Sequence, residues 1–70
     1  MALVYVESSN IAQIGYDVDT AILEIEFRDG RAYEYYDVPQ YEHDNLMASE
    51  SKGKYAHKNI YKAYRQQRIR

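Results

Sequence analysis

Ala21, Leu23, Ile25 and Phe27 alternate with Ile22, Glu24 and Glu26, and Arg28-Asp29-Gly30 follows at once. Apolar residues at every second position mark a strand with one buried face, and an Asp-Gly pair directly after it signals a tight reversal. The middle of the chain is therefore predicted to be an antiparallel hairpin, Thr20–Phe27 against Arg31–Val38. Parity selects its register. A two-residue Asp29-Gly30 turn would set Ile25 opposite Glu34 and put a carboxylate in the core. A three-residue Arg28-Asp29-Gly30 loop, closed by Gly in the left-handed conformation, sets Ile25 opposite Tyr33 and Leu23 opposite Tyr35. The second register is the expected one. It faces Glu24 with Glu34 on the outer side, a like-charge pair that wants a cation nearby.

Ile11–Asp17 reads as the preceding strand. A four-residue turn, Asp17-Val18-Asp19-Thr20, would pair Ile14 with Leu23 and Tyr16 with Ala21. Leu3–Glu7 is a further short apolar run, an edge strand or an extension of the first, interrupted by the turn-forming Ser8-Ser9-Asn10. Val38-Pro39 stops the third strand. Gln40–Ser49 is predicted to be a short helix with Tyr41, Leu46, Met47 and Ala48 available for packing. Lys52–Arg65 forms a second helix, on which Ala56, Ile60 and Ala63 share one face. Gln66–Arg70 is a basic tail expected to fray. The fold class is α+β, order β-β-β-α-α, with an antiparallel sheet of three or four strands and both helices on its apolar face. Residues 1–65 make one domain with a core of Ile14, Tyr16, Leu23, Ile25, Phe27, Tyr33, Tyr35, Leu46 and Ile60.

Seventy residues without Cys limit what holds such a fold together. A chain this short buries roughly 60 % of its unfolded surface, and no disulfide or thiolate metal site supplements that core. Self-association is the remaining common remedy, so a homo-oligomer is expected. No apolar run approaches about 18 residues and Met1–Ser8 has no basic segment, which excludes membrane-spanning and secretory readings and leaves a cytoplasmic protein as the expectation.

Charge is strongly segregated. Eleven acids against Arg28 and Arg31 give residues 1–51 a formal −9, whereas residues 52–70 carry seven cations and no acid. Lys54, Lys58, Lys62 and Arg65 recur at helical spacing as one basic ridge, suited to neutralising phosphates or to clamping an acidic sheet. Ser51-Lys52-Gly53-Lys54 opens the second helix, where Ser51 is an N-cap candidate and Ser51 with Gly53 would frame an anion at free amides. It lacks the spacing of a Walker motif. Tyr36 and Tyr55 are candidate stacking residues. Tyr33 and Tyr35 face the helices in the expected register, which favours core over platform. His43 and His57 lack companions at metal-ligand spacing, so no metal is expected. No Ser has a His–carboxylate partner in sequence context, so neither catalysis nor a cofactor is expected.

The ordered runs Ser8-Ser9-Asn10-Ile11, Ile14-Gly15-Tyr16-Asp17, Leu23-x-Ile25-x-Phe27 with Asp29-Gly30, Tyr33-x-Tyr35-x-x-Val38-Pro39 and Leu46-Met47-x-Ser49-x-Ser51-x-Gly53-x-Tyr55 through Ile60 resemble the KTSC domain over about residues 4–62. That family takes its name from the C-terminus of some lysyl-tRNA synthetases and also occurs as small free-standing bacterial and phage proteins. The resemblance implies a domain without established function and a suggested role in RNA binding. The chain departs from the family pattern at Ala56, commonly an aromatic, and at Gln40-Tyr41, where Tyr comes one position early.

Residues and resemblance together lead to one main expectation: non-catalytic binding of RNA or a tRNA-like element, with Lys52, Lys54, Lys58, Lys62 and Arg65 on phosphates and Tyr36 or Tyr55 stacking. One alternative is a nucleotide-sequestering protein with its phosphate at Ser51–Tyr55. The other is a homo-oligomer whose basic helix neutralises the Glu24, Glu26 and Glu34 face of a second copy.

Overall fold

The computed structural model describes residues 1–70. Its elements run β1 (Leu3–Tyr5), β2 (Ile11–Asp17), β3 (Ile22–Phe27), β4 (Ala32–Tyr35), α1 (Gln40–Ala48), α2 (Lys52–Asn59) and β5 (Gln66–Arg68). The five strands form one antiparallel sheet in sequence order, β1-β2-β3-β4-β5. Two helices and an antiparallel sheet agree with the expected α+β class. The strand count does not, since five replace three or four. The tail at 66–70 does not fray: it returns along β4 with Tyr35 opposite Gln66 and Tyr33 opposite Arg68. Gln-Gln-Arg has no alternation of its own, so the open edge of β4 imposes this strand.

The central hairpin keeps the register that parity selects. Leu23 lies opposite Tyr35, Ile25 opposite Tyr33 and Glu24 opposite Glu34. Gly30 closes the loop at φ +95, and the Phe27 amide donates to the Arg31 carbonyl across it at 2.8 Å. The first hairpin is shifted by two residues. Ile14 pairs with Ile25 and Tyr16 with Leu23, not with Leu23 and Ala21 as expected. The reason is Ala21, which leaves the strand at φ 57, so that the turn keeps four residues but moves one position on, to 18–21, with Asp17 opposite Ile22. A shift of two preserves parity, so Ile14 and Tyr16 stay on the inner face. Between Ile11 and Gln13 a bulge inserts one residue. It lets Ile11 and Ile14, three positions apart, both face inward at 0% and 1% exposure.

The helices cover the face of Ile14, Leu23, Ile25 and Tyr35. Ile11, Val38, Leu46, Ala56 and Ile60 complete the buried cluster, with Tyr16, Phe27 and Tyr33 packed at its margin. Tyr41 does not join it and stands exposed, as does Ala63. The residue that α1 buries beside Leu46 is Glu42, whose carboxylate accepts from the Tyr55 hydroxyl at 3.0 Å and the Tyr64 hydroxyl at 3.4 Å. Two Tyr donors satisfy a group that burial alone would penalise. No helix is long and apolar enough to cross a membrane.

α2 ends at Asn59, six residues before the expected Arg65. The amides of Ile60 and Tyr61 both bond the Ala56 carbonyl, and the chain turns there to seat Ile60 in the core. Lys62 and Arg65 therefore lie beyond the helix, and the four-cation ridge is not one helical face.

Candidate functional site

Ser51 caps α2 from an extended conformation, its Oγ accepting the Lys54 amide at 3.4 Å. The amides of Lys52 and Gly53 sit in the first turn, where no carbonyl one turn back can reach them, and remain without a protein partner. Lys54 is exposed, and Lys52 is partly held back by donating its ammonium to the Ser49 carbonyl at 3.2 Å. One turn on, His57 meets the Tyr61 ring edge to face.

Opposite this helix start stands the Ser8–Asn10 turn, and its conformation is held by short-range hydrogen bonds. Ser8 Oγ accepts the Ile11 amide at 3.2 Å and donates to Asn10 Oδ1 at 3.2 Å. From the neighbouring hairpin, the Arg28 amide donates to the Asn10 carbonyl at 2.9 Å and Arg28 Nε to the Ser8 carbonyl at 2.8 Å. Asn10 then rests directly against Gly53.

Between the turn and the helix lies a cleft of about 660 Å³, lined by Glu7, Ser8, Ser9, Asn10, Glu50, Ser51, Lys52, Gly53, Lys54, His57 and Tyr61. Beneath it the rings of Phe27, Tyr33, Tyr35 and Tyr61 pack at centroid distances of 6.0–6.4 Å. Burial pushes the Tyr61 hydroxyl above its ordinary pKa, and its oxygen is enclosed without a hydrogen-bond partner.

Of the residues singled out in the sequence, Ser51, Lys52, Gly53 and Lys54 meet at this cleft. Lys58 and Lys62 are exposed outside its lining. Tyr55 turns away to Glu42. Tyr36 lies on the opposite side of the sheet with its hydroxyl bonded to Glu34 at 3.2 Å, and Arg65 sits 5.4 Å above its ring while pairing with Asp37. The cation that the Glu24–Glu34 pair wanted is Arg70 of the same chain, 3.2 Å from Glu24 and 3.1 Å from Glu26. The basic tail thus partly clamps its own acidic face.

The sequence marked Ser8-Ser9-Asn10 only as a turn and His57 only as a histidine without metal-ligand companions, and neither these residues nor Tyr61 were expected at a site. A Gly inside the first turn of a helix was the available signal, because Gly there costs about 1 kcal/mol relative to Ala and implies something close by.

The sequence profile of the KTSC domain matches residues 7–64. A protein from Tsukamurella paurometabola is 46% identical over 50 residues, covering 71% of this chain and 75% of that protein. The crystal structure of a KTSC domain protein from Yersinia pestis superposes with a TM-score of 0.94 at 38% identity, covering 99% of this chain and 97% of the other.

Proposed function

This chain belongs to the KTSC domain family, and we propose that it is a non-catalytic, cytoplasmic binding module for nucleotide phosphate, presented by a small nucleotide or by the end of an RNA. The observation that carries the reading is the convergence of Lys52, Lys54 and His57 with two unpartnered helix-start amides on one cleft. Amides at a helix start favour an anion, and two nearby ammonium groups add to that field. Glu7 and Glu50 line the same cleft. Carboxylates there repel a bare polyphosphate but accept from ribose hydroxyls and base amino groups, which suits a nucleotide.

The interrupted ridge argues for a compact phosphate over the body of a long RNA. Arg65 is engaged by Asp37, and Lys58 and Lys62 remain as outlying cations that an RNA strand leaving the cleft would pass.

Calorimetric titration with nucleoside monophosphates, a short oligoribonucleotide and a tRNA-length RNA tests this at about 50 and about 200 mM salt. Saturable binding that weakens with salt and is lost in Lys54→Glu is expected, with Lys62→Glu weakening only the longer ligands. No binding by any of the three, or affinity indifferent to both salt and Lys54→Glu, overturns the reading.

A further inference from the structure

We infer that the β1 edge of the sheet is a self-pairing surface, joining two copies of this chain antiparallel, β1 to β1, about a two-fold axis at Val4. The edge is unusual for a sheet that ends in water. Val4 and Tyr5 are 53% and 80% exposed, and neither charge nor Pro occurs from Ala2 to Val6. Natural sheets block open edges with charges, bulges or Pro, and a flat apolar edge is a template for another strand. The opposite edge is blocked in that way: β5 reads Gln-Gln-Arg, all exposed, with Arg65 and Arg70 flanking it.

Hydrogen-bond phase and charge together fit a second copy as the occupant. The Val6 amide donates to the Ala12 carbonyl at 3.1 Å, and Val4 lies opposite Ile14 in the same phase. By strand alternation the amides and carbonyls of Leu3 and Tyr5 point away from β2 into solvent. Set antiparallel about Val4, Leu3 of one copy falls opposite Tyr5 of the other, so each outward amide meets an outward carbonyl. Val4 then faces its own equivalent across the axis, on the same face as its β2 partner Ile14, where it stays 53% exposed at the margin of the helix layer. No like charges meet in this register. Pairing β5 to β5 would instead bring Arg68 towards Arg68.

β1 is short, so the dimer should form with concentration rather than be permanent. Its driving force is apolar and backbone contact, which high salt does not remove. That separates it from an electrostatic assembly of basic helix on acidic sheet, whose acidic face Arg70 already occupies.

Sedimentation velocity between about 10 μM and about 1 mM, at low and high salt, is the test. A dimer is expected at the upper end in both salts, with amide exchange of Leu3 and Tyr5 slowing as concentration rises. Val4→Lys should weaken association about tenfold or more by opposing two like charges, and mixing Val4→Lys with Val4→Glu should restore it. Restoration also shows that each variant is folded. A monomer across the range, a dimer dispersed by salt, or a dimer untouched by Val4→Lys overturns the inference.

Discussion

A Cβ placed on Gly53 would fall 2.7 Å from Asn10 Oδ1, so the first turn of α2 and the Ser8–Asn10 turn approach as closely as they do only because position 53 carries no side chain. The backbone of Gly53 is ordinary for a helix; the requirement is one of space. Gly53→Ala has two opposed effects. Ala gains about 1 kcal/mol of helix propensity. The clash falls on a movable side-chain end, whose displacement breaks the Ser8–Asn10 hydrogen bond at a similar cost. The expected outcome is nearly unchanged denaturant stability with a marked loss of nucleotide affinity. Adding Asn10→Ala should release the propensity gain, making the double variant about 1 kcal/mol more stable than Asn10→Ala alone.

Glu42 has two Tyr donors and no ion-pair partner. Tyr55→Phe removes the shorter bond and should cost about 1.5–3 kcal/mol, the range for a hydrogen bond to a charged group. Tyr64→Phe, at 3.4 Å, should cost less. Urea denaturation of the two variants gives the order, and the reverse order would contradict this account.

Ala21 holds φ 57, a left-handed conformation that crowds its Cβ at a cost of about 1–2 kcal/mol. Gly relieves the strain but loses unfolded-state entropy of roughly 0.5–1 kcal/mol. Ala21→Gly should therefore stabilise by up to about 1 kcal/mol, seen as a higher urea midpoint with an unchanged slope. Destabilisation would mean that the turn is not left-handed at this residue.

Arg70 bridges Glu24 and Glu26 but is 48% exposed, so solvent screening limits the pair. Arg70→Ala should cost no more than about 1 kcal/mol at low salt and almost nothing at high salt. Deleting residues 66–70 should cost clearly more at both, because β4 then loses its neighbouring strand as well.

Burial raises the pKa of Tyr35, reinforced by Tyr61 and Tyr33, and it likewise raises those of Tyr61, Tyr64 and Tyr55. The folded state thus keeps protons that the unfolded chain releases near 10.0. Stability from these groups is present in full below pH 10 and is lost as pH rises through the folded values. Alkaline unfolding should be cooperative, with tyrosinate absorbance from the buried rings appearing together with the loss of far-UV circular dichroism. Complete tyrosinate formation in a chain that keeps its native spectrum would contradict this.

The Leu23–Tyr35 and Ile25–Tyr33 register was legible in the sequence because alternation and the Asp29-Gly30 turn are local, and parity forbids a carboxylate inside. Ser51 was legible as a cap for the same reason, since an N-cap acts on amides two or three residues away. Local patterns did not show the bulge at Ala12 or the left-handed Ala21, where the demands of neighbouring strands override the residue's own preference. Nor did they show that Glu42 is buried, because the Tyr55 and Tyr64 hydroxyls that make burial tolerable come from outside its helix. By itself, then, the sequence determined the hairpin, the inner face, the two helix starts and the membership of a family. Tertiary structure decided where the basic residues lie. Ile60 had to enter the core, so α2 ended at Asn59; the open edge of β4 then drew Gln66–Arg68 into the sheet, turning Arg65 and Arg70 onto the chain's own acids and leaving Lys52 and Lys54 at the cleft.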